Sequence, residues 1–239
     1  MANFQLDDDF LAAIKDLILK EQDKKLKKQL HELHYADIAE ISEQLSLEEA
    51  IYLIKLLDSE KTAEALAEVD EDFREKILRQ LSAKEIAEEL EELDTDDAAD
   101  IIAELPQERQ EKVLSQIEDT EHLKDIRELL KYEEDTAGGL MAKELVKVHE
   151  DLSVLKCVNS MRKQAEEVTR VHSIYVVNAK NQLLGRLSLK DLLTANSRAI
   201  VKDIYIPKVD FVYVDTDVEE VARIMSKYDL EAIPVVNNK

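Results

Sequence analysis

Four carboxylates fall within Asp94-Thr95-Asp96-Asp97-Ala98-Ala99-Asp100. Asp96 and Asp100 stand four positions apart, so a helix puts them on one face, where like charges destabilise an isolated helix by a few tenths of a kcal/mol. A bound cation would remove that penalty. Every donor nearby is an oxygen, with no His or Cys, and such a set suits a hard ion such as Mg²⁺ or Ca²⁺ better than zinc. The same residues also read as a plain helix start with Asp94 as its cap. His31 and His34 have a spacing seen in metal sites, but without Cys or supporting acidic ligands they read as ordinary residues at the entry to a helix. There is no Gly-rich phosphate loop, no nucleophile motif and no acid and base pair with a reason to differ in pKa, so no catalysis is expected.

The elements that must carry these groups follow from a strict spacing. An apolar residue recurs every twelve positions, at Leu33, Leu45, Leu57, Val69, Leu81, Leu93, Leu105 and Ile117. Ser46, Asp58, Asp70, Ser82 and Asp94 come directly after five of them and are the side-chain types that accept from orphan amides at a helix N-terminus. Pro106 is expected in a first helical turn. Acidic residues such as Glu48, Glu49, Glu71 and Asp72 then crowd the first turn, where they complement the helix dipole. Further apolar pairs lie eight and nine positions after the markers, such as Leu53 and Ile54, Ile77 and Leu78, or Ile101 and Ile102. Each unit is one short helix that cannot bury its apolar face alone, so the units must stack into an α-superhelix. Ahead of them, Phe10, Leu11, Ile14, Leu17 and Ile18 predict an amphipathic helix within residues 4–19, followed by a Lys-rich stretch from Lys24 to Lys28.

A chain of 239 residues suits about two domains. Charge divides them. Residues 1–136 hold 40 Asp and Glu against 17 Lys and Arg, a net of −23, whereas residues 137–239 hold 14 against 15. That balance argues against nucleic acid as a partner and disfavours a bare anionic membrane surface. Cations or basic patches are what such a field attracts. The one cysteine, Cys157, excludes an internal disulfide and suits a reducing cytosol. No apolar run approaches the ~20 residues that span a bilayer, and no signal peptide opens the chain.

Gly138 and Gly139 are adjacent, permitting positive φ or a close backbone approach, and predict a helix end with a turn between domains. Beyond Met141 the pattern changes to strands at Val146–Val148, Ile174–Val177, Leu183–Leu187, Val212–Val214 and Ile233–Val236. Helices are expected between them at Val154–Met161, Leu189–Leu193 and Val218–Met225. This half repeats itself. Val148, Asp151 and Leu155 recur as Val214, Asp217 and Val221, and Ile174 to Asn178 recurs as Ile233 to Asn237. The second copy stops at Lys239, so further sequence is expected after it.

These residues together resemble the cytosolic portion of the MgtE magnesium transporter family. The resemblance rests on Leu33 to Glu40 (LHYADIAE), Tyr132 to Met141 (YEEDTAGGLM), Val176 and Val177 with Gly185 to Leu192, and Asp215 to Ala222 (DTDVEEVA). It implies an α+β multidomain architecture: an all-α superhelix of short helical repeats at 1–136, then an α/β CBS-pair domain with CBS units at 137–200 and 201–239, the second incomplete. It implies Mg²⁺ as a regulatory ligand between the acidic domain and the CBS domain. The matching positions are Glu64, Asp96 and Asp100 on the helical side, with Gly139 through its backbone, Asp217, Glu219, Ser226 and Asp229 on the other. Ser226 stands where the family carries alanine, a neutral change if the ligand is its carbonyl.

By the same resemblance, bound Mg²⁺ compacts the module and closes a transmembrane pore of the same protein, at the cytoplasmic face of the cell membrane, with this part soluble. A homodimer through the CBS domains is expected. CBS pairs also bind adenine nucleotides such as ATP, with Asp191 in Ser188-Leu-Lys-Asp191 as a weak candidate ribose contact beside its plain reading as part of a helix start. The remaining alternative is an adaptor whose helical repeats dock another protein.

Overall fold

The structure is a computed structural model and describes residues 6–166, 168, 171 and 173–238. The part of the expected first helix that falls before Leu6 lies outside them. The chain forms two compact units, Met1–Arg127 and Glu128–Lys239. Among the described residues no helix is long and apolar enough to cross a membrane.

The first unit is helical throughout. It runs α1 (Asp8–Leu19), α2 (Asp23–His31), α3 (Tyr35–Glu43), α4 (Leu47–Leu56), α5 (Ser59–Glu68), α6 (Glu71–Leu78), α7 (Ala83–Leu90), α8 (Thr95–Ala103) and α9 (Gln107–Leu114), with α10 (Thr120–Leu129) closing the series. The helix starts are chemical. Ser46 and Ser82 form reciprocal capping boxes with Glu49 and Glu85, and Asp58 and Asp70 accept from amides three residues on. His34 is itself a cap, its Nδ1 accepting from the Ala36 amide, which accounts for it without a metal. Pro106 departs from expectation. It occupies the extended N-cap position before α9, where its lack of an N–H is equally harmless. Asp94 holds the N-cap of α8 without a capping bond from its side chain.

Six of the eight twelve-residue markers are buried: Leu45, Val69, Leu81, Leu93, Leu105 and Ile117. Helices pack two apart, α3 on α5, α5 on α7, α7 on α9, and α4 on α6. The sequence period of twelve is therefore half the structural one. Orphan carbonyls at helix C-termini are closed by cationic or ring donors from much further along the chain. Lys61 Nζ donates to the carbonyls of Leu30 and Leu33, Arg109 to those of Leu78 and Leu81, and the His122 ring lies 3.0 Å from that of Leu90. Arg74 Nη1 donates to Leu66, Ala67 and Val69 at 3.1, 2.8 and 3.0 Å and is ion-paired with Glu104.

The second unit holds β1 (Val146–His149), α11 (Val154–Gln164), β2 (Ile174–Val177), β3 (Leu183–Leu187), α12 (Leu189–Thr194), β4 (Val212–Tyr213), α13 (Val218–Tyr228) and β5 (Val235–Val236), with a short 3₁₀ turn at Val201–Asp203 that the pattern did not predict. Strand β1 pairs parallel with β2, and β2 pairs antiparallel with β3. The repeat appears again as β4 parallel to β5 across α13. Strand β5 is shorter than expected because Pro234 has no amide to give the ladder; its carbonyl accepts from Val212 at 3.1 Å. Val146, Val148, Cys157, Ile174, Val176 and Leu187 share the core of the first copy. This is the architecture expected from the sequence, an all-α region followed by CBS-type α/β units with the second one short.

Candidate functional site

In the helical unit, Glu64 on α5 and the start of α8 come together. Asp96 and Asp100 lie one turn apart on α8, and Asp94 and Asp97 join them. Burial pushes the Asp96 carboxyl above its ordinary range, and Asp94 adds repulsion. Its Oδ1 is buried with no hydrogen-bond partner. Loss of water raises Asp97 to about 6, helped by Asp96, Asp94, Glu64 and Asp100. Glu64 is raised as well, by burial first and then by Asp94, Glu60 and Glu68. An oxygen-only cluster that holds mutual repulsion and one orphaned buried oxygen fits a hard cation. Among the described residues no three Asp, Glu, His or Cys side chains close into a ready-made cage.

In the second unit, the junction folds back on the start of α13. The amides of Ala137 and Gly138 donate to the carbonyls of Thr216 and Val214 at 2.7 and 2.9 Å, and Val218 donates to Asp135. Gly139 thus belongs to the same corner as Asp217 and Glu219. Asp217 caps α13, accepting from the Glu219 amide at 2.8 Å. The Gly139 amide goes to Thr136, which leaves its carbonyl as the backbone group for a ligand. Neither glycine has positive φ. Close approach is the reason for both: a Cβ on Gly138 would meet the Tyr132 ring at 2.7 Å, and one on Gly139 the Glu133 carbonyl at 2.3 Å. Gly139→Ala is expected to lower stability by about 1–3 kcal/mol through backbone displacement, measured by thermal unfolding.

Ser226 and Asp229 are at the other end of α13. A helix of 11 residues rises ~1.5 Å per residue, so Asp217 and Asp229 are too far apart to share one ion. The five CBS-side positions therefore divide into Gly139, Asp217 and Glu219 at one end and Ser226 and Asp229 at the other. The Ser226 carbonyl belongs to the last turn, where the helix dipole favours a cation. Asp229, in left-handed conformation at φ 52°, also lines a cleft of about 380 Å³ with Tyr175, Arg186, Lys208 and Asp210. Asp191, on α12, is not among the residues lining that cleft.

Sequence reasoning missed Asp94 and Asp97 as members of the cluster, although their adjacency to Asp96 was visible. It also missed Tyr175, Arg186 and Lys208, which only the pairing of β2 with β3 and the return of the later chain bring to one cleft.

A further carboxylate, Glu89 on α7, is pushed up to about 7 by burial, with Glu88, Glu92 and Asp58 adding repulsion and the Ser59 hydroxyl opposing at 3.1 Å. The folded state then holds its proton where the unfolded chain, near 4.5, has lost it. Stability is lost as pH rises from about 4.5 to about 7. Glu89→Gln is expected to flatten that slope and to stabilise the fold at pH 8 by about 1 kcal/mol after allowance for solvent screening, measured by urea unfolding at several pH values.

A series of short helices followed by tandem CBS-type α/β units defines the class, an all-α domain joined to a CBS pair. The model of the MgtE intracellular N domain matches residues 33–135, and that of the CBS domain matches residues 137–198 and 201–239. The crystal structure of the cytosolic domain of the Mg²⁺ channel MgtE in complex with ATP is similar over 95% of this chain and 93% of that one, with TM-score 0.88 and 33% identity. The soluble part of a magnesium transporter matches 95% of this chain and 89% of that one, at TM-score 0.82 and 27% identity. The magnesium transporter MgtE of Thermus thermophilus is 44% identical over 115 residues, 48% of this chain and 26% of the relative. That of Enterococcus faecalis is 34% identical over 113 residues, 47% of this chain and 25% of the relative. The chain belongs to the MgtE family, comprising its N domain and CBS domains. The matched stretch spans about a quarter of those curated relatives.

Proposed function

We propose that this chain is the magnesium-sensing part of a magnesium transporter, with residues 1–136 as the acidic arm and residues 137–200 and 201–239 as the CBS units. Glu64, Asp96 and Asp100 supply ligands on the helical side. The Gly139 carbonyl, Asp217, Glu219, Ser226 and Asp229 supply them on the CBS side. Mg²⁺ bridging draws the acidic arm onto the carboxylates of the CBS side and closes an attached pore at the cytoplasmic face of the membrane. The observation that carries this reading is the Asp96 carboxylate, with one buried oxygen lacking a partner beside Asp97, which burial and then the surrounding carboxylates raise to about 6. The relatives' role in magnesium transport supports it.

The switch needs several ions. A millimolar site is worth ~4 kcal/mol at 1 M reference, and a full switch takes ~5.5 kcal/mol of differential binding between states. Exposed charges further apart than ~8 Å are largely screened at physiological salt, so direct bridging does the work. Small-angle scattering across a Mg²⁺ titration tests the reading. Contraction with Mg²⁺ but not with monovalent salt of equal ionic strength is expected, and unchanged dimensions would overturn it.

Two copies associate through the CBS units in this reading, supported by the exposed Leu155, Leu189 and Leu193 on α11 and α12. A nucleotide has its own supporting observation in the cleft beside Asp229, where the Tyr175 ring, Arg186 and Lys208 suit a base and its phosphates. The ATP complex of the similar cytosolic domain points the same way. Arg186→Ala is expected to weaken ATP binding about tenfold, read by calorimetry.

A further inference from the structure

One junction between two packed helices is built so that a proton rewires it. Ser59, the first residue of α5, places its hydroxyl 3.1 Å from Glu89 Oε2 and 3.3 Å from the Glu88 carbonyl, both in the last turn of α7, on which α5 packs. A serine hydroxyl has one hydrogen to give. The Glu88 carbonyl needs it, because the Glu92 amide, which would reach Glu88 if the helix continued, goes to the Glu89 carbonyl instead. Protonated Glu89 satisfies the whole junction: its own O–H donates to Ser59, and Ser59 passes its hydrogen on to Glu88. Ionised Glu89 can only accept, so it takes the serine hydrogen and leaves the Glu88 carbonyl without a donor.

The surroundings favour the protonated arrangement. Helix α5 brings the Asp58 carboxylate and α7 itself brings Glu88 and Glu92, all of which repel a charge on Glu89. The cations of the elements around α7 are committed elsewhere. Lys84 pairs with Glu88 at 3.2 Å, Lys55 of α4 pairs with Glu85 at 2.6 Å, Arg109 of α9 donates to the Leu78 and Leu81 carbonyls, and the His122 ring of α10 lies at the Leu90 carbonyl. Burial first, and then this repulsion, hold Glu89 at about 7 against the opposing serine hydrogen bond.

We propose that Ser59 and Glu89 form a proton-operated latch between α5 and α7, closed while Glu89 keeps its proton and opened by its loss. Opening frees the start of α5, the helix that also carries Glu64. Only the consequence for magnesium, a looser seat for Glu64 at high pH, rests on Glu64 being a ligand.

Hydrogen exchange of the full chain in chelator tests the latch with no bound Mg²⁺ in the readout. Protection of the α5 and α7 amides, corrected for the intrinsic pH dependence of exchange, is expected to be about fivefold lower at pH 8 than at pH 6. In Glu89→Gln the side-chain amide donates to Ser59 at every pH, so protection should stay at the pH 6 level. Ser59→Ala should lower protection at pH 6 towards the pH 8 value, since the Glu88 carbonyl loses its donor in both states. Equal protection of the parent at the two pH values would overturn the proposal, as would a pH dependence that persists in Glu89→Gln or full protection of Ser59→Ala at pH 6. Loss of the pH dependence in His122→Gln, with Glu89 intact, would also overturn it and assign the effect to the ring at the Leu90 carbonyl.

Discussion

Arg74→Met is expected to lower the unfolding free energy by about 3–5 kcal/mol, measured by urea denaturation. The guanidinium is 12% exposed and its partner Glu104 14%. It also satisfies three carbonyls at the end of α5. Methionine fills the space of the stem but strands a buried carboxylate and leaves those carbonyls without their donor. Adding Glu104→Gln to the methionine variant removes the stranded charge and should recover part of the loss. A cost under about 1 kcal/mol for Arg74→Met would mean that the pair behaves like an exposed salt bridge.

The second large effect concerns Asp96 and Asp100. Changing both to asparagine should raise the Mg²⁺ concentration needed for contraction at least tenfold, since each tenfold step is ~1.4 kcal/mol and two charged ligands are lost. Stability without Mg²⁺ should move the other way. Burial raises Asp97 to about 6 and repulsion from Asp96 and Asp100 adds to it, so removing those two charges relaxes a strain that the ion otherwise relieves. A variant that responds poorly to Mg²⁺ yet unfolds at the same or higher urea concentration separates loss of ligands from misfolding. A variant that contracts like the parent would remove these two residues from the sensor.

Much of this was legible in the sequence because period and cap chemistry are local. Ser46, Asp58, Asp70 and Ser82 start helices where their side chains require it, and the alternation of β-branched runs with helical segments marked β1 to β5 to within a few residues. Pairing across the chain was not legible. Nothing local in Lys61 or Arg109 says that each closes a helix end, nor that Arg74 meets Glu104, because these partners depend on which helix packs on which. The glycine pair was read for its conformational freedom, whereas the structure uses its lack of side chain, since Gly138 and Gly139 lie against Tyr132 and Glu133. The carboxylate cluster was half legible: the i, i+4 spacing gave Asp96 and Asp100, but the contribution of Glu64 on α5 rested on family resemblance until folding brought it beside α8.

The packing of helices two apart has a bearing on how such a scaffold can lengthen or shorten. The odd helices α3, α5, α7 and α9 pack in one series and α4 packs on α6 in another, so a single twelve-residue unit is not an interchangeable part. Inserting one unit ahead of Leu93 would turn the Asp96 helix α8 from the even series into the odd one and change its offset from Glu64 on α5, even though every capping and burial rule along the new sequence was obeyed. Only changes in pairs keep each helix in its own series, and only outside the stretch from α5 to α8 do they leave Glu64 beside the start of α8.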